Sequence, residues 1–318
     1  MELRHLRTFR AVATRRSFTR VARELGYVQS AVTAHVKALE ADLGVRLFDR
    51  LGRNIALTQA GSELLRYATA ILDLADGARA ASANGGEPAG TLHVSAAETL
   101  CVYRLPSVLE QFGKRFPEVR VVFEPSKSGT LDPTLRRELS EGVVDAAFVI
   151  EREHGDLGGL VAEPLVREPL MLVAKPGHPL AEAGEVRPAD LAEESVLMAE
   201  KGCGFREVFE EQMAGVGVEP KAEVEFTSSE AIKRCVEGGM GVAVLAAVSV
   251  AEEVRSGRLV ALNWSEPGFH VSTQMIRHRD KWLSPALRAF LATTNDILGV
   301  GKEPKQKVLG PMAMGSIR

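Results

Sequence analysis

Residues 17–40 read SFTRVARELGYVQSAVTAHVKALE. Two short helical patterns meet at Gly26, a residue suited to the tight turn between them. Ser17 or Thr19 can cap the first, which turns Val21, Ala22 and Leu25 inward. The second spans about residues 28–43 and faces Ala31, Val32, Val36 and Leu39 inward. Its opposite side carries Gln29, Ser30, Thr33 and Lys37. A core helix has no use for such a polar side. A helix fed by a tight turn from a supporting helix can lie in the major groove of DNA.

The flanks agree. Upstream, Leu3, Leu6, Phe9, Val12 and Ala13 fall at helical spacing. Downstream, Gly44 stops the second helix and VRLFDRLGRNIALT follows. Val45, Leu47 and Phe48 are apolar enough to be buried, and residues 51–54 form a hairpin tip between two short strands. Residues 1–58 therefore read as a winged helix-turn-helix. Residues 1–66 carry twelve Lys/Arg against six Asp/Glu, a net +6, while the rest carries 27 against 36, a net −9. A basic head on an acidic body suits a nucleic-acid module attached to something else.

Residues 59–84 form one long helical pattern with Leu64, Leu65, Ala68, Ile71, Leu72 and Ala75 in an apolar stripe. A stripe outside a compact domain needs cover, and the same helix of a second subunit supplies it. Residues 85–90, rich in Gly and Pro, read as a hinge. From 91 to 298 strands alternate with helices, which implies parallel sheets with helices on their faces, arranged as two α/β lobes. Residues 299–318 lack periodicity and read as a disordered tail.

Other classes find little support. Three cysteines (Cys101, Cys203, Cys235) have no paired spacing, so neither a disulfide framework nor a zinc site is expected. The seven histidines are scattered, and no metal or cofactor is expected. The sequence contains no HExxH, GxSxG or GxxxxGK[ST], and the basic head argues against an enzyme. No apolar run approaches the ~18–20 residues that span a bilayer. The N-terminal segment has no apolar h-region, so the expectation is a cytoplasmic protein without membrane partners.

At this point the chain resembles the LysR-type transcriptional regulators. The likeness covers residues 1–298 and is most specific over 3–66. There F-x-x-V, S-F-T, Q-S-A-V-T, L-E-x-x-L-G-x-x-L-F-x-R and L-T-x-A-G follow one another at the family's spacing. The resemblance implies a two-lobed α/β body of the type-2 periplasmic-binding-protein kind, with a small, anionic effector in its cleft. It also implies a dimer of dimers joined through the long helix, on an interrupted inverted repeat of double-stranded DNA. Rival readings are a solute-carrying protein, or an oxyanion sensor with a similar winged head outside this family.

Site residues follow from both readings. Gln29, Ser30 and Thr33 are expected at base edges, His35 and Lys37 at phosphates or the groove rim, and Arg50 and Arg53 on the wing. The sequence departs from the family at Val28 and Ser30, where a capping Ser and a Pro are common, and at Ala34-His35, where Arg-Gln is common. Ser30 can partly replace the missing cap. For the effector, the resemblance points to Thr99 with Leu100. Facing segments supply Ser128, Cys203, Gly204, Phe205 and Thr227. Cys203 also matches in position the reactive cysteine of the family's oxidative-stress branch. With Arg206 close by in sequence, this makes redox sensing the alternative.

Overall fold

The computed structural model describes residues 1–51, 54–83, 87–126, 129–153, 155–265 and 271–299. The N-terminal unit consists of α1 (Leu3–Arg15), α2 (Phe18–Glu24) and α3 (Gln29–Leu43). The hairpin strands β1 (Phe48–Leu51) and β2 (Asn54–Leu57) complete it, and α4 (Gln59–Ala83) leads out of it. Ser17 caps α2, its Oγ accepting from Arg20 N at 3.2 Å. Gly26 and Gly44 adopt φ of 68° and 70° and close the two helices in the left-handed region. At the start of α3, Val28 offers no side-chain cap and none is supplied by Ser30, contrary to the expected compensation.

Leu6, Phe9, Val12, Val21, Val32, Val36, Leu39 and Leu47 form one buried core. Burying each such side chain contributes ~1.5–3 kcal/mol. The Phe48 ring packs against Phe9 and Phe18 at centroid distances of 5.4 and 5.9 Å. Glu40 ties the hairpin to α3 by accepting from Leu47 N at 2.8 Å. Gly61 lies directly over the Leu47 carbonyl, where a Cβ would collide.

The stripe on α4 is divided. Leu65, Ala68 and Leu72 enter the head's own core, packed against α1, and Leu64 and Ile71 rest half-buried against it, so most of the stripe assigned to a second subunit is covered by this chain. Leu64, Tyr67, Ile71, Leu74 and Ala78 form a second line on α4, three and four residues apart in turn. Tyr67 and Leu74 in that line are exposed.

The body opens with β3 (Gly90–Ala96), α5 (Glu98–Tyr103), α6 (Leu105–Arg115), β4 (Val119–Pro125), α7 (Pro133–Ser140), β5 (Ala146–Glu151) and β6 (Leu160–Glu168). The chain then crosses to a second lobe made of β7 (Leu170–Ala174), α8 (Pro179–Glu182), β8 (Glu185–Val186), β9 (Ser195–Ala199), α9 (Gly204–Gly215), β10 (Lys221–Phe226), α10 (Ser229–Glu237), β11 (Ala243–Ala246), α11 (Ala247–Arg255), β12 (Val260–Ala261) and β13 (Asn263–Trp264). It returns through β14 (Val271–His278) and ends in α12 (Pro285–Leu298).

The first lobe's sheet has the order β4-β3-β5-β14-β6. β3 runs parallel to β4 and β5, but β14 is antiparallel to β5 and β6. In the second lobe β10 and β9 are parallel, and β11 and β12 flank β7 antiparallel. The first lobe's sheet is thus mixed and the β11-β7-β12 sheet antiparallel, rather than wholly parallel, and in the first lobe the strand running opposite to the rest is β14, which returns from the second lobe. At the crossing, Arg104 and Glu168 form a buried two-pronged pair at 3.0 and 2.7 Å, and Thr273 donates to the same carboxylate at 2.7 Å. Residues of the tail from 300 to 318 lie outside the described residues.

Candidate functional site: an exposed reading helix and an interlobe cleft

α3 rests its apolar side on α1 and α2 and leaves the other side open. Gln29, Ser30 and Lys37 are exposed there and Thr33 is half-exposed. Gln29 is steadied by Thr19, whose Oγ1 donates to its Oε1 at 3.1 Å. Its amide N–H groups remain available to donate outward. The Thr33 hydroxyl donates to Gln29 O at 3.0 Å, so the side chain offers its methyl and an acceptor oxygen. Val28, just before the helix, is 68% exposed. In the sequence the position stands out only by its missing cap, whereas its exposure beside Gln29 makes it part of the open side.

His35 departs from the expectation. Its Nδ1 lies 2.9 Å from Thr8 Oγ1, and its ring packs against His5 and edge-on to Tyr27 at 5.1 and 5.3 Å. The side chain is turned to α1, not to the groove face. Burial chiefly, then the charges of His5 and Arg4, hold the imidazole below its ordinary pKa. Arg50 lies in β1 opposite Ile55, with its side chain outside what the structure describes. Arg53 lies outside the described residues.

The second site lies between the lobes. Ala97, Glu98, Thr99, Ser126, Gly129 and Ile150 line it from the first lobe, and Ala199, Glu200, Cys203, Phe205, Phe226, Thr227 and Ser229 from the other side. Nearly all stand at or just after the carboxyl ends of β3, β4, β5, β9 and β10, where α/β folds place their ligands. That rule, applied to the strand pattern, locates Glu98, Ile150, Glu200 and Phe226, which motif matching passes over.

The lobes meet across this cleft. Ser228 Oγ donates to Glu98 at 3.1 Å, and Thr99 and Ser229 share a hydrogen bond of 3.3 Å. Tyr103 OH donates to Glu230 and accepts from Lys233 Nζ at 2.9 Å. On the far rim Thr130 donates to Gly202 O at 2.9 Å.

Of the expected effector residues, Thr99, Cys203, Phe205 and Thr227 come together here. Leu100 does not, being fully buried in the body's core, where the helical turn of α5 points it away from the cleft. Gly204 serves packing, since a Cβ there would strike the Ile150 carbonyl of β5. Ser128 and its neighbour Lys127 lie outside the described residues.

Among the described lining residues are two carboxylates and no Lys, Arg or His. Burial pushes the Cys203 thiol up in pKa, against the lowering by the Phe205 and Arg206 backbone N–H groups. Arg206 does not activate it. That guanidinium is engaged by Glu210 at 2.6 Å, Glu225 at 2.8 Å and Ala199 O at 2.9 Å. Among the described residues no cluster of His, Cys, Asp and Glu could hold a metal ion, and no helix is long and apolar enough to cross a membrane.

Comparison with known proteins agrees with this division. The family model described as "Bacterial regulatory helix-turn-helix protein, lysR family" matches residues 3–62, and "LysR substrate binding domain" matches residues 85–298. The uncharacterized HTH-type transcriptional regulator YwqM of Bacillus subtilis is 36% identical over 294 residues, covering 92% of this chain and 98% of that protein. A full-length OxyR variant from Pseudomonas aeruginosa shares the fold with a TM-score of 0.70 at 24% identity, over 93% of this chain and 95% of that one. Full-length CbnR, solved with its target DNA, has a TM-score of 0.58 at 25% identity, over 93% and 99%. With a reading head that matches one family model and a cleft-bearing body that matches the other, the chain belongs to the LysR family of transcriptional regulators, and its two domains bind DNA and an effector.

Proposed function

We propose that this regulator reads an interrupted inverted repeat through paired heads and responds to a small polar effector held between its lobes. The observation that carries the reading is the open polar side of α3 on an otherwise closed core. Gln29, Ser30 and Thr33 are assigned to base edges, Val28 to a thymine methyl, and Lys37, Arg50 and Arg53 to phosphates or the adjacent groove. His35 is assigned to bracing α3 on α1. A base contact of this kind contributes ~1–3 kcal/mol of discrimination. In gel-shift titrations against duplexes chosen by in vitro selection, Gln29→Ala and Thr33→Ala should relax the sequence preference. Unchanged preference in both variants overturns the assignment.

The exposed Tyr67, Leu74 and Ala78, with the half-buried Leu64 and Ile71 between them and the head's core, support pairing of two α4 helices, since alternate three- and four-residue spacing is the seam of a two-helix coil. Two heads joined in this way read half-sites about a helical turn apart or multiples of it. Pairs of such dimers would give the tetramer, at work in the cytoplasm.

In the cleft, N–H groups at the starts of α9 and α10 suit an anionic end of the effector. Glu98 and Glu200 suit an end that donates hydrogen bonds. A thermal-shift screen of small acids on the wild type and on Thr99→Val tests this reading. A hit should stabilise the wild type and lose most of its effect in the variant, and equal shifts in both would refute the site. The raised pKa of the half-buried Cys203 thiol favours ligand sensing over thiol redox chemistry.

A further inference from the structure

The head and the body of this chain meet through a buried lysine. Lys281 lies between β14 and α12, and its side chain is only 9% exposed. Its Nζ is 2.6 Å from Asp145 in the body and 3.3 Å from Asp73 on α4. Asp73 also faces Arg10 of α1 at 3.4 Å, and Arg7 reaches Asp76 one turn further along α4 at 2.7 Å. The charges thus run from the head through α4 into the first lobe. Asp145 is fixed in turn, its Oδ2 accepting from His93 N at 2.8 Å.

Shape supports the same contact. The Trp282 ring fits against Gly77, where an added Cβ would stand 2.9 Å from its edge. Gly142 lies over the Thr69 methyl, with space for a Cβ at only 3.3 Å. Val143 packs on the head's own core. Small residues at Gly77 and Gly142 let α4 and the body approach closely.

The placement of Asp145 connects this contact with the cleft. It immediately precedes β5, and Ile150 near the other end of β5 lines the cleft and receives the close approach of Gly204. A strand rises about 3.3 Å per residue, so roughly 17 Å of continuous β-strand separates the two places. β14, which delivers Lys281, is paired with β5 along its length.

We infer that Lys281 is a positioning residue for DNA reading: bridging Asp73 and Asp145, it holds α4 and the head at a fixed angle to the first lobe, so that a shift of β5 at the cleft reaches the head. The spacing between two paired heads, on which this inference rests, is then set partly by this contact, and not by α4 alone.

Two full-length variants test it. Lys281→Met removes the bridge, and Lys281→Arg is the conservative control. Gly77→Ala leaves every charge in place and raises helix propensity, yet wedges α4 away from Trp282. The readouts are in vitro selection from inverted-repeat duplexes of randomised spacer length, and the radius of gyration in solution. Lys281→Met and Gly77→Ala should keep the half-site sequence, but their preference for the best spacer over its neighbours should fall about tenfold, with a larger radius of gyration. Lys281→Arg should behave as the wild type.

A wild-type spacer profile and radius in Lys281→Met overturn the proposal, as does a lowered melting temperature without either change. If Lys281→Met does not fold, Gly77→Ala decides alone by the same criteria. A wild type without any spacer preference would refute the paired heads proposed above, and the radius of gyration would then decide the present inference.

Discussion

Thr8 on α1 and His35 on α3 are joined by a 2.9 Å hydrogen bond in which the histidine is the donor. Thr8 Oγ1 already donates its only proton to Arg4 O at 2.9 Å, so it accepts from His35 Nδ1–H. The pair fixes the middle of α3 to the helix behind it.

That geometry carries a pH dependence. Burial, with His5 and Arg4, depresses the His35 pKa in the folded state. A group with a depressed folded value contributes stability above its unfolded value, ~6.5 for histidine, and loses it as pH falls through the folded value. The melting temperature of wild type minus that of His35→Asn should therefore shrink as pH is lowered from about 7.5 to 5. A difference constant across that range would show that His35 does not titrate in this way.

Arg16 ends α1 in the left-handed region, at φ 50° and ψ 32°, with its N–H donating to Val12 O at 2.8 Å. It is the one non-glycine residue with positive φ among the described residues. An L side chain there costs about 1 kcal/mol relative to glycine. Arg16→Gly should stabilise the chain by that order in chemical denaturation, while Arg16→Ala should not. Equal stabilities of the two variants would count against strain at this residue.

Much of this architecture is legible in the sequence because its signals are local. Gly26, Gly44 and the apolar spacing of α1 to α3 announce the head, and turn residues mark the strands of the body. The departures have physical causes. Pro164 interrupts β6 and hides it from a strand pattern. It is tolerated at a sheet edge, where the pairing with β14 shifts register beside Gln274. Periodicity shows that the α4 stripe is apolar, not which chain covers it, so the share buried by the head itself stays out of sight. The position of the His35 side chain depends on a partner 27 residues away. Leu100 parts from Thr99 because adjacency in sequence does not mean the same side of a helix.

The Arg104–Glu168 pair governs the crossing between the lobes. Both side chains are almost wholly buried, and Thr273 satisfies the carboxylate further. Removing one partner from such a pair strands the other charge in a low-dielectric interior, at a cost of ~3–5 kcal/mol. Arg104→Met should destabilise the body by that order. Combining it with Glu168→Leu should recover much of the loss, because no unpaired charge then remains. A single variant that melts with the wild type would mean that water reaches the carboxylate.

Cys203 separates the two ways of sensing. It stands at the start of α9, where the Phe205 and Arg206 backbone N–H groups favour the thiolate, but burial outweighs them and keeps the thiol protonated. Arg206, the nearest cation in sequence on the helix side, is spent on Glu210 and Glu225. The thiolate is the reactive form, so a raised pKa slows alkylation and oxidation alike. Iodoacetamide at neutral pH should label native Cys203 far more slowly than the unfolded chain, as read by mass spectrometry of the peptide that contains it. Dilute peroxide should leave DNA affinity unchanged. Fast labelling of the native protein, with DNA binding altered by peroxide in the wild type and unaltered in Cys203→Ser, would transfer the sensing role from a bound ligand to the thiol.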